Sequence, residues 1–71
     1  MSEEIVAEMV ANVWKVLVST GDEVAAGDTI CILESMKMEI PVETPGSGVV
    51  AEMNVVEGGV VQEGDVIAVI E

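Results

Sequence analysis

The sequence predicts an all-β fold of two antiparallel sheets with an approximate two-fold axis, and three observations carry that prediction. The first is the kind of apolar residue present. Half of the chain is hydrophobic (51% of 71 residues), made up of Val, Ile, Ala, Met and Leu with one Trp and neither Phe nor Tyr, and Val and Ile are strand formers. The second is punctuation: seven Gly and two Pro interrupt the chain at short intervals, as tight turns between short strands do. The third is an internal repeat. Displacing the chain by 37 positions lays Val18, Gly21, Val24, Gly27, Asp28, Ile30 and Glu34 over Val55, Gly58, Val61, Gly64, Asp65, Ile67 and Glu71, and Val13 and Val16 over Val50 and Met53. A repeat of this length used twice is a duplicated half-fold rather than a solenoid.

Each half supplies about four strands. Residues 4 to 17 carry apolar positions (Ile5, Met9, Val13, Leu17) near helical spacing. Their second copy, however, follows Pro45-Gly46-Ser47-Gly48, a turn sequence that does not begin a helix of this length, so both copies are read as strands. Next comes Val18-x-x-Gly-Asp-x-Val-x-x-Gly-Asp28, whose relative runs from Val55 to Asp65. It places Gly where a turn needs positive φ and Asp where a side chain can bond the local backbone. The strand Ile30-Cys31-Ile32-Leu33 then leads into Glu34-Ser35-Met36-Lys37-Met38-Glu39 and out through Ile40-Pro41-Val42, which reads as a hairpin with Lys37 at its tip. Because Glu34 corresponds to Glu71, that tip should stand at the opposite end of the molecule from the termini. Alternation assigns Val16, Val18, Val24, Ile30 and Ile32, with Met53, Val55, Val61, Ile67 and Val69, to a thin aliphatic core between the sheets. Trp14 falls on Ala51 in the repeat beside the core pair Val13 and Val50, which implies a bulge and partial exposure.

Composition excludes several function classes. A chain of 71 residues is one small domain, residues 1–71, near the floor for a core without staples. Its single Cys31 forms no internal disulfide, which suits a reducing compartment. Lys15 and Lys37 are the only cations in a chain of net charge -12, so no basic face exists for nucleic acid or for anionic membranes. No apolar run approaches a membrane span, and Met1-Ser2-Glu3-Glu4 is the reverse of a basic secretory leader. The expectation is a soluble cytoplasmic protein, monomeric in isolation. The chain has no His or Tyr to act in catalysis, and its dispersed acids contain no calcium-loop pattern, so no metal site is expected. Gly46-Ser47-Gly48-Val49-Val50-Ala51 has the letters of a dinucleotide fingerprint but no following helix and is read as a turn. Lys15 is read as an outward strand residue and Cys31 as a small buried hydrophobe.

Glu34-Ser-Met-Lys-Met-Glu39 set between two Gly-Asp half-repeats resembles the biotinyl/lipoyl attachment domain family over essentially the whole chain, and most of all its small free-standing biotin carboxyl carrier-like members. The resemblance implies a flattened barrel-sandwich of two four-stranded antiparallel sheets and covalent biotin on Lys37. It also implies flanking recognition by Met36 and Met38, and presentation of the hairpin by Glu34 and Gly21. The usual Ala-Pro-Met-Pro-Gly before the second strand is replaced here by Ala7-Glu8-Met9-Val10-Ala11, Ser35 stands where Ala is common, and the first half has no thumb-like insertion. By the same resemblance the chain is a non-catalytic carrier, modified by a biotin protein ligase, that moves carboxylate from a biotin carboxylase to a carboxyltransferase. Lipoate on the same lysine, in a 2-oxo acid dehydrogenase system, is the alternative. The chemistry fits a hairpin tip. A lysine amine is almost wholly protonated at neutral pH, so it must enter a site that desolvates and deprotonates it before acylation.

Overall fold

The computed structural model describes residues 2–71; Met1, the first residue of the Met1-Ser2-Glu3-Glu4 start, lies outside them. The elements are β1 (Glu3–Val6), β2 (Ala11–Val16), β3 (Glu23–Val24), β4 (Thr29–Ser35), β5 (Met38–Glu43), β6 (Gly48–Met53), β7 (Val60–Val61) and β8 (Val66–Ile70). They form two four-stranded sheets in the orders β1-β8-β6-β3 and β5-β4-β2-β7, with every pairing antiparallel. The displacement of 37 carries β2 onto β6 and β3 onto β7 residue for residue, and carries the first sheet order onto the second. Residues 4 to 17 contain no helix: β1 and β2 are separated by a bend at Glu8-Met9, as β5 and β6 are by one at Pro45-Gly46.

Turn chemistry explains the close spacing of the strands. Gly21, Gly27, Gly58 and Gly64 all have φ between 87° and 97°, which only glycine adopts freely. After three of these glycines an Asp closes the turn: Asp22, Asp28 and Asp65 accept from the backbone N–H of Ser19, Ala25 and Gln62 at 2.8, 2.8 and 2.9 Å. The fourth turn has Gly59 in place of Asp.

The core lies between the sheets and contains Ile5, Val13, Val24, Ile30, Cys31, Leu33, Val50, Val55, Val61, Ile67, Ala68 and Ile70, closed by Ala7 and Ala11. Val16, Val18 and Met53 pack partly buried against it. Two expected members, Ile32 and Val69, do not belong to it: both are half-buried, while Leu33 and Ile70 are buried in their place. A pair of bulges is the cause. In β4–β5 the register steps from Thr29↔Glu43 to Cys31↔Val42, and in β1–β8 from Val6↔Val66 to Ile5↔Ala68. Ile30 and Ile67 are therefore extra residues, each turned inward beside the next residue, and alternation restarts from Cys31 and Ala68 with the opposite phase.

Candidate functional site

Strands β4 and β5 are joined by only two residues, since Ser35 pairs with Met38. The linking residues Met36 and Lys37 have φ of 52° and 66°, the left-handed values that a two-residue type I′ hairpin requires at both positions. Asn-Gly is the usual occupant. Met and Lys adopt this conformation at a cost of about 1–2 kcal/mol each, and strain of this kind concentrates at functional sites. The stem below holds the loop in place through six paired positions from Thr29↔Glu43 to Ser35↔Met38. No described residue covers the tip: Lys37 is exposed, and Met36 and Met38 are 92% and 66% exposed. The hairpin and its apical lysine are as the sequence led one to expect.

Glu34 stands on the stem, facing Asn12 of β2 on one side and Glu39 of β5 on the other. Glu39 was not singled out from the sequence, yet its place follows once the loop is fixed at Met36-Lys37, because the register then sets Glu34 opposite it. Two carboxylates directly opposite one another disfavour a strand pair. Here they form an acidic collar just below the only cation at the tip.

Gly21 is not brought to this hairpin. Its N–H bonds the carbonyl of Val50 at 2.8 Å, and Val50 faces Ile70 in the other sheet, next to the C-terminal residue. The mirror glycine is the one on the hairpin side: Gly58 donates to Val13, which faces Leu33 in β4. Gly21 and Gly58 are equivalent in the repeat, so letter matching alone has no means of choosing between the two ends.

The other singled-out residues occupy distinct places. Trp14 is the extra residue of a bulge in β2–β4, between Val13↔Leu33 and Lys15↔Ile32, and is 44% exposed, as its alignment with Ala51 implied. The Lys15 ammonium lies 5.6 Å from the centre of its ring, within cation–π range. Cys31 is fully buried, and burial pushes its thiol up to about 11, so it is inert at neutral pH. Among the described residues no three His, Cys, Asp or Glu side chains gather to hold a metal ion.

Comparison with known proteins identifies the family. A family model described as "Biotin-requiring enzyme", the Biotin_lipoyl model, matches residues 2–70. The chain belongs to the biotin/lipoyl attachment family. It is 51% identical to the "Biotinylated protein TB7.3 homolog" of Mycobacterium leprae, over 99% of both chains. It is 50% identical to the "Biotin/lipoyl attachment protein" of Bacillus subtilis, over 84% of this chain and 82% of that one. The fold is also that of a segment of the Kluyveromyces lactis urea carboxylase, with a TM-score of 0.91 and 37% identity; the match covers all of this chain and 6% of the larger one. The barrel-sandwich of two four-stranded sheets is thus the family's fold.

Proposed function

We propose that Lys37 is the biotin attachment site and that the chain is a non-catalytic carboxyl carrier, moving carboxylate from a biotin carboxylase to a carboxyltransferase. The observation that carries this reading is the two-residue loop. It keeps Met36 and Lys37 in a strained conformation that leaves the lysine at the apex with neither neighbour packed over it. Likeness to the biotinylated proteins and to the carboxylase segment supports the choice of biotin.

The chain's own residues do three things. The stem fixes the backbone on both sides of Lys37, so the orienting entropy is spent during folding rather than at the encounter. Lys37 supplies the nucleophile: its amine, deprotonated in the ligase site, attacks the activated biotinyl carbonyl. A C–N bond forms, the C–O bond to AMP breaks, and the proton leaves to the ligase or to solvent. Met36 and Met38 offer unbranched thioethers to an apolar ligase surface without demanding one geometry, and Glu34 holds its place in the hairpin register. Once attached, biotin supplies a ureido nitrogen that carries the carboxylate, and bond making there belongs to the partner enzymes. The proposed setting is cytoplasmic.

Intact-mass measurement after incubation with biotin protein ligase, biotin and ATP tests the reading. Wild type should gain one biotinyl increment and Lys37→Arg none, with both melting within about 2 °C of each other, because an exposed tip residue contributes little to stability. Biotin retained on Lys37→Arg would have to sit on Lys15 and would overturn the assignment. A lipoyl increment from a lipoate ligase, with no biotin taken up, would make the chain a lipoyl carrier for a 2-oxo acid dehydrogenase instead.

A further inference from the structure

The fold contains its own control for surface residues, because each outward position on one sheet has an equivalent on the other. On the sheet that carries the hairpin, register aligns Lys15, Ile32 and Pro41 across β2, β4 and β5, with the bulged Trp14 beside Lys15. The equivalent row on the other sheet is Glu52, Val69 and Glu4, with Ala51 at the bulge. The two rows have the same backbone and opposite character. One is apolar and carries a cation and the protein's only aromatic ring; the other flanks one valine with two carboxylates. Since the acidic row shows that the fold does not require an exposed tryptophan or an apolar row here, the Trp14 row calls for a separate reason.

Its position supplies one. Trp14 lies between residues facing Leu33 and Ile32, two to three residues down the strand from Ser35 where the loop begins, or about 7–10 Å below the tip. The row between them is the acidic collar of Glu34 and Glu39. An enzyme that acts on the end of a biotinyl arm reaches its target well away from the protein body. A ligase must instead take the lysine amine itself, roughly 6 Å from its Cα by ordinary bond lengths, so its surface is drawn down around the hairpin.

Resting on the assignment of Lys37, we propose that the outer face formed by Trp14, Lys15, Ile32 and Pro41 is the docking surface for the biotin protein ligase. The matching ligase surface is an apolar spot that receives the indole, with basic groups placed toward the tip to meet Glu34 and Glu39. Aromatic anchors surrounded by a polar rim are the usual centre of such contacts, and the paired charges favour encounter in the correct orientation. The Lys15 ammonium, 5.6 Å from the ring centre, lies over the indole at the edge of this face.

Trp14 is the chain's only tryptophan, so the difference between ligase titrations with and without Trp14→Ala reports on this face. Titrating the full chain, as Lys37→Arg to prevent turnover, with the ligase should shift and enhance the Trp14 emission as the indole leaves water. In steady-state biotinylation, Trp14→Ala should raise KM for the carrier about tenfold with kcat unchanged, and Ile32→Glu should do the same. Val69→Glu on the mirror face should match wild type, and thermal melts confirm that each variant is folded. Unchanged emission together with an unchanged KM for Trp14→Ala overturns the docking face while leaving the attachment site standing. A wild-type chain that takes no biotin overturns both.

Discussion

The two ends of the molecule are equivalent in the repeat and are built to opposite ends. At one, β4 turns into β5 through Met36 and Lys37, two residues held in left-handed conformation with their side chains in water. At the other, the equivalent of Glu34 is Glu71, locked against Val49 by backbone bonds of 2.7 and 2.8 Å in both directions. Beside it Gly48 leaves no room for a side chain, because a Cβ there would collide with the Glu71 carbonyl; the residue at the equivalent position by the hairpin is Ala11. One end is closed by backbone packing, while the other uses the same framework to hold up a lysine. Symmetry of the fold thus supplies rigidity twice, and the exposed lysine is set into one copy only.

The largest effect should come from filling the closed end. Gly48→Ala is expected to cost roughly 3 kcal/mol, because a Cβ pressed against backbone forces the last strand to move. Ala11→Gly at the hairpin end should cost only about 1–2 kcal/mol, as lost backbone restriction and one buried methyl. Urea unfolding of both variants measures the difference, and equal losses would mean that the two ends are packed alike.

The next contrast is Cys31 against its equivalent, Ala68, both fully buried. Burial raises the thiol from 9.0 to about 11 in the folded chain. The folded state therefore keeps its proton where the unfolded chain has already lost it, and stability falls as pH rises from about 9 to 11, by about 2–3 kcal/mol in all. Cys31→Ala makes the two halves alike at this position and should remove that portion of the pH dependence. Denaturant melts at pH 8, 9.5 and 11 check it, and a slope that survives the substitution would place its origin elsewhere.

The smallest expected effect sharpens the hairpin itself. Replacing the loop by Met36→Asn with Lys37→Gly gives the turn the residues it prefers and should stabilise the chain by about 1–2 kcal/mol, chiefly the strain that Gly removes at position 37 while Asn at position 36 still pays much of its own, and should end modification. A loop replacement that destabilises the chain would show that Met36 and Lys37 are not strained.

Much of this was readable in the residues because the signals were local. The Gly-Asp turns depend on one φ and one side-chain oxygen within four residues. The hairpin tip lies where a strand, a short polar break and a second strand follow one another, and a repeat that copied the punctuation ruled out a helix over residues 4 to 17. Alternation failed at Ile32 and Val69 for a reason equally definite. A bulge residue such as Ile30 is extra only relative to its partner strand, and nothing within Thr29–Ser35 states which residue of β5 it faces.

The sequence by itself determined the duplicated all-β plan, the turn chemistry and the lysine set apart between two methionines, because each depends on neighbours along the chain. Only the tertiary structure decided that Gly58 rather than Gly21 lies on the hairpin side, and that Trp14 and Lys15 of β2 share an outward row with Ile32 and Pro41. Those relations arise from register between strands distant in sequence, and register is settled when two sheets bury their faces together.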